Sequence, residues 1–301
     1  IADTMVLSQL YTPTYEEDAS STPLPKTHRQ QSTTPPLPQF ELGILSQASG
    51  SASVTRGDTK VLVAVLGPYP VGGPSTGGGM GDNSDLISSG QLLCEFELSA
   101  VAKGSSLLEE VETMERETSA LLRAALAPAI LLDQLPKCVV KVTCLVLQRG
   151  GNEFAAAVCA ASLALADAGV PLRGLVAACA VSDVVSPDSS SEQVLDLPQH
   201  DRERHFYDVN GSVTLTTMFT QITEPQPSAD STKTSSEGVV TCDWDEGVTH
   251  FSQTGRLGSA VLLRALSLAR SGCRQIWGSM AGALERTADA KAKANPAPMN
   301  S

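Results

Sequence analysis

The sequence predicts a single-domain α+β protein. Three observations carry that expectation. Short apolar runs of strand length, bounded by glycine and aspartate, fill the first third of the chain. A long segment with apolar residues at helical spacing then leads into a strand, a glycine pair and a second, small-residue helix. The chain closes on one more helical run, so strands are expected in one layer and three helices in another.

Residues 1–38 (IADTMVLSQLYTPTYEEDASSTPLPKTHRQQSTTPPLP) hold too little apolar surface to order themselves and are expected to be a flexible arm, in which Met5, Val6, Leu7, Leu10 and Tyr11 are the residues suited to docking. The domain is expected over 39–287. From Phe40 to Pro68 two or three β-rich runs are broken by Gly50 and by Gly57-Asp58, which predicts a hairpin or meander. Residues 71–90 read as a loop, and QLLCEFELSAVA after them as another strand. Leu107, Leu108, Val111, Met114, Thr118, Leu121, Leu122 and Ala125 share one face of a helix over roughly 106–126.

Residues 137–148 predict a strand, 155–169 a buried helix of small side chains, and 173–185 a further strand. That order implies a right-handed crossover on a shared sheet. SPDSSSEQ reads as a turn, VLDL as a short strand, 212–220 as a strand and 224–238 as a polar insertion. The last helix is expected from about Gln253 to Glu285, with a flexible tail over 288–301.

Composition narrows the function. The chain of 301 residues carries 21 Lys plus Arg against 33 Asp plus Glu, a net charge of -12. That balance excludes a free-standing nucleic-acid binder working through a globally basic surface; RNA contact has to be local or shared with a more basic partner. Seven cysteines without CxxC spacing predict reduced, buried thiols rather than disulfides or zinc. No apolar run reaches membrane-spanning length and no signal-peptide pattern opens the sequence, so a soluble intracellular protein with no membrane partner is expected.

The order of motifs resembles the RNase PH family. The resemblance rests on ELGILSQASGSASVTRGDTKVLVAVLGP, on QRGGNEFAAAVCAASLALADAGVPLRG and on LARSGCRQIWGSMAGAL, and it runs from about 40 to 286. The ADAGVPLRG pattern with its compact VLD segment is similar to RNase PH-type subunits of the eukaryotic RNA exosome ring. The resemblance implies the RNase PH-type βαβα fold (ribosomal protein S5 domain 2-like). It implies as partners other RNase PH-like ring subunits, exosome cap proteins and RNA threaded through the ring. A place in the nucleus and nucleolus, and also the cytoplasm, in RNA degradation and processing including that of rRNA, is implied as well. Active members of the family use phosphate to release nucleoside diphosphates from an RNA end.

That reaction needs cations and donors at the glycine turn. Active members place Thr or Ser and then Arg after the glycines, where this chain has Asn152 and Glu153. Asn152 keeps a donor, but Glu153 exchanges an attraction of roughly 4 kcal/mol, at 4 Å and an effective dielectric near 20, for a repulsion of similar size. Arg149 is the nearest replacement cation; a solvated charge or a subunit contact is the alternative reading. The family also sets two Asp six positions apart. Asp196 matches the first, the second falls on Arg202, and Asp201 lies one position short. Asp196 equally suits a plain turn. For RNA, Arg116 and Arg123 match the family's backbone-gripping region, and Arg56 lies in the TRGDT turn.

His28, His200, His205 and His250 are scattered, and no P-loop, GxGxxG or GxSxG context is present, so no metal or cofactor is expected. The first expectation is a non-catalytic structural subunit of the exosome core ring. The alternatives are an active phosphate-dependent 3'-to-5' exoribonuclease and a binding module that borrows the fold.

Overall fold

Among the described residues of the computed structural model (38–70, 89–104, 108–185, 191–195, 208–221 and 244–294), nine strands form two sheets. All of them lie within the compact unit 33–301. In chain order the elements are β1 (Gln39–Leu42), β2 (Gly50–Arg56), β3 (Thr59–Pro70), β4 (Gln91–Leu98), α1 (Ala100–Lys103), α2 (Leu108–Leu126), β5 (Cys138–Gln148), α3 (Glu153–Asp167), β6 (Leu175–Val185), β7 (Ser191–Leu195), β8 (Asp208–Gln221), β9 (Trp244–Gly255) and α4 (Ser259–Ala294). The five-stranded sheet runs β1-β2-β3-β5-β4 and the four-stranded sheet β7-β6-β8-β9. Residues 1–37 of the expected arm, 71–88 of the loop expected at 71–90, and the polar insertion expected at 224–238 lie outside the described residues.

The alternation of β3 sets the first sheet. Val61, Val63 and Val65 are buried on its inner face, while Leu62, Ala64 and Leu66 on the other are half-buried. The Gly57-Asp58 hairpin joins it to β2 as the sequence predicts. β4 and β5 are the parallel pair, and α2 is the helix between them. On α2 the buried stripe is Val111, Leu122, Ala125 and Leu126, whereas Leu108 and Leu121, expected on the apolar face, are 65% and 39% exposed. The helix also covers the edge of β4. Ser119 Oγ accepts the Phe96 amide at 2.8 Å, and Glu115 Oε1 accepts the Leu98 amide at 2.7 Å, so backbone donors that would invite another strand are satisfied.

The crossover expected on a shared sheet is corrected. β5 belongs to the first sheet and β6 to the second, with α3 between them. The physical reason lies in α3 itself, where every residue from Ala155 to Leu165 is buried. A helix apolar on all sides needs cover on all sides, so the chain leaves it toward a second sheet. Small side chains let both sheets approach closely; α3 packs on β2 and β3 on one side and on β6 on the other.

Three boundaries also move. β9 continues through Gln253 to Gly255, because VTHFSQTG completes a ladder with β8 that ends at Gly211 opposite Gly255; α4 begins only at Ser259. The short strand read at VLDL instead occupies Ser191–Leu195, pairing with β6. At the other end α4 runs to Ala294, beyond the expected helix end at Glu285 and into the segment expected to be a flexible tail. Lys291 Nζ meets Asp167 Oδ1 at 2.6 Å, and Asp167 Oδ2 accepts the Ser51 amide at 3.1 Å. A carboxylate at the C-terminal end of α3, only 6% exposed, thus holds β2 and the last turns of α4 together.

α4 packs on the second sheet through Ala265, Ala269, Cys273, Ile276 and Met280. Arg270 and Arg274 reach from it to the two oxygens of Glu246 on β9. The hydrogen bond from Arg274 outweighs the opposing effect of burial, and Arg270 adds to it, so the Glu246 carboxyl is held below its ordinary value of 4.5. A folded-state pKa below the unfolded one contributes stability above about pH 4.5 that is lost as pH falls through the folded value. Glu246→Gln should therefore melt lower than the native chain at pH 7, by roughly 2 °C or less because solvent screens the half-exposed arginines. Melting curves against pH should show that gap closing below pH 4.5; a gap independent of pH would remove the ion pairs as its source.

Candidate functional site: the glycine turn before helix α3

Four residues connect β5 to α3, and each is constrained. Gly151 has φ of +106°, a backbone region that side chains rarely adopt. Gly150 lies against the β2–β3 hairpin: a Cβ there would sit 2.4 Å from Thr59 Oγ1 and 2.5 Å from Thr59 N. Asn152, 8% exposed, is the N-cap residue of α3, and its carbonyl accepts the Ala156 amide at 3.1 Å. Its side chain makes no capping hydrogen bond to the helix.

Glu153 opens the helix and folds back over the turn. Its Oε1 accepts the Gly151 amide at 3.3 Å and meets Arg149 Nε at 3.4 Å. The Glu153 side chain is 18% exposed and that of Arg149 33%. An acid in the first turn also suits the positive end of the helix dipole. The turn thus presents an amide and a cation, as an anion-binding turn does, and a carboxylate of the same chain occupies both. A second anion arriving there meets like charge and a spent donor. On the neighbouring side the ring of Phe154 meets that of His250 from β9 edge-on, with centroids 5.8 Å apart, and burial lowers the His250 pKa.

The residues named from sequence are therefore distributed unevenly. Asn152, Glu153 and Arg149 come together at the turn. Arg116 is exposed on α2. Arg56 is a correction to the expected RNA contact: it is 4% exposed, its Nη1 donates to the carbonyl of Ala178 at 3.2 Å, and its Nη2 lies 3.8 Å from Cys179 Sγ. Its place at the end of β2 points it between the sheets and away from solvent. Asp196, Asp201 and Arg202 lie outside the described residues.

Sequence reasoning missed that Glu153 is an internal ligand, although the four-residue spacing from Arg149 was a usable signal. It also missed the Gly150 contact with Thr59, for which no sequence signal exists. Among the described residues no three His, Cys, Asp or Glu side chains converge as a metal would require. Cys144, Cys159, Cys179 and Cys273 are buried thiols outside any disulfide, and burial pushes the half-buried Cys94 up to about 12.

This fold and turn define a class. Residues 38–171 match the 3' exoribonuclease family, domain 1 (RNase PH). The solved structure of rice (Oryza sativa) Rrp46 superposes with a TM-score of 0.61 at 20% identity, covering 84% of this chain and 96% of that one. The chain is RNase PH-like in fold, and the match to the first domain of that family spans residues 38–171. Within the class, the chain is 39% identical over 165 residues to human exosome complex component MTR3, covering 54% of this chain and 60% of the relative. To exosome complex component Rrp41 of Cenarchaeum symbiosum (strain A) it is 34% identical over 158 residues, covering 52% and 62%. The chain thus spans about 60% of the length of these curated relatives.

Proposed function

We propose that this protein is a structural, catalytically inert subunit of an RNA exosome core ring, supporting 3'-to-5' RNA degradation and processing without itself cleaving RNA. Its partners are other RNase PH-like ring subunits and cap proteins, with RNA passing through the ring; its place is the nucleus and nucleolus, and also the cytoplasm. The similarity to relatives named as exosome components supports the ring assignment. The observation that carries the inert reading is the Glu153 carboxylate, which takes the Gly151 amide and the Arg149 guanidinium at the turn where a phosphorolytic enzyme needs both for phosphate.

The purified chain, incubated with single-stranded RNA and inorganic phosphate, is expected to release no nucleoside diphosphate. Release at a rate proportional to enzyme would establish the phosphorolytic reading instead. Phosphate titration followed calorimetrically gives the companion test: Glu153→Gln removes the like charge and should bind phosphate at least ~10-fold more tightly than the native chain. Equal affinities would mean that Glu153 does not guard the turn. Native mass spectrometry of the assembly captured on this chain should find a ring of different homologous subunits; a homohexamer would argue for the enzyme.

A further inference from the structure

One surface stands apart from the charge of the whole chain. In a protein of net charge -12, residues 247–284 contain no Asp, Glu or Lys and four arginines, Arg256, Arg264, Arg270 and Arg274. Three of these lie on α4, and with Ser267 and Ser271 they occupy the side of the helix opposite Ala265, Ala269, Cys273 and Ile276. All five are exposed. Along the axis, Arg264 and Arg270 are separated by about 9 Å and Arg270 and Arg274 by about 6 Å.

The positive face is also held in place. Arg270 and Arg274 each give their Nε to Glu246, whose side chain is 8% exposed, while the arginine side chains are 56% and 59% exposed. One buried carboxylate orients two cations through their Nε atoms and neutralises one of them. The hydroxyls of Ser267 and Ser271 bond back to the carbonyls of Arg264 and Leu268, both at 2.8 Å, so no long side chain stands between the arginines. A row of fixed guanidiniums separated by short side chains fits a chain of phosphodiesters, which presents paired oxygens at regular intervals.

We propose that this face of α4 is a sequence-independent contact for the phosphate backbone of single-stranded RNA, outside the glycine turn. The preference for RNA over another polyanion rests on the proposed function. The two are separable, because failure to join a ring or release of nucleoside diphosphates would remove that function and leave the salt dependence below unchanged.

The test is binding of a fluorescent single-stranded RNA oligonucleotide to the full chain between 50 and 200 mM salt. Substituting Arg264, Arg270 and Arg274 together by Gln should make the slope of log affinity against log salt shallower by about 2, at about 0.7 for each phosphate contact. The corresponding triple Lys variant should keep the native slope. Arg264→Gln alone, which leaves Glu246 paired, should lose about 0.7 and decides the matter if the triple Gln variant does not fold. Glu246→Gln removes the local carboxylate and should tighten binding. Identical slopes in native and Gln variants would overturn the proposal, as would native binding that polyaspartate displaces as readily as unlabelled RNA, the behaviour of a docking face for an acidic protein segment.

Discussion

Gly150→Ala is expected to cost about 3 kcal/mol or more of folding stability, read as a shifted urea midpoint. The added methyl would stand 2.4 Å from Thr59 Oγ1, 2.5 Å from Thr59 N and 2.7 Å from the carbonyl carbon of Asp58. Two of those three atoms are backbone, in a hairpin whose register is set by seven pairs between β2 and β3, so the clash cannot be relieved by a rotamer change. Either the hairpin moves away from the start of α3 or the turn does, and both lie against the core. Gly278→Ala is the control. It lies within α4 with nothing inside 4 Å of its added Cβ, and should stabilise by about 0.5–1 kcal/mol through helix propensity. A near-native midpoint for Gly150→Ala would mean that the glycine is kept for some reason other than packing. The expected result explains why a glycine turn persists although its own Glu153 fills it: the close approach of hairpin and helix requires glycine whether or not phosphate binds.

The second large effect is expected at Arg56. Arg56→Ala should destabilise by about 3 kcal/mol, combining a cavity between the sheets with the loss of the stronger of the two side-chain donors to the buried Ala178 carbonyl, the weaker being the Cys159 thiol. β2 belongs to one sheet and β6 to the other, so this side chain ties the two together across the interior. Arg56→Lys should recover only part of the loss, since an ammonium cannot reproduce the planar fork that spans Ala178 O and Cys179 Sγ. RNA affinity and its salt slope should be the same in every folded Arg56 variant. A variant with native stability but weaker RNA binding would restore Arg56 to the surface role its place in the TRGDT turn suggests.

Much of this architecture was legible because it depends on local periodicity. The alternating valines of β3, the stripe of α2 and the unbroken apolar run of α3 each report a period and a degree of burial within one segment. Departures arose where a distant partner decided the matter. VTHFSQTG has no strong strand pattern and became β9 because β8 offered it a ladder. ADAKAKA reads as a tail and is helical to Ala294, where Lys291 finds Asp167. The candidate site divides in the same way. The departure at Asn152-Glu153 is visible in the sequence, but whether Glu153 faces solvent or turns back onto Gly151 and Arg149 is a matter of its conformation.

By itself, the sequence determined most of the strand and helix segments, the resemblance to the RNase PH family, and that the turn before α3 lacks that family's usual phosphate ligands. Only the tertiary structure decided that β5 and β6 lie in different sheets, that Arg56 is buried between them, and that four scattered arginines place three of their number on one outward face of α4. The reason is physical. Periodicity and residue type act over a few neighbouring residues and are written in order along the chain. The environment of a charge is set by which remote atoms exclude water from it or pair with it, and that is established only when the two sheets close over α3.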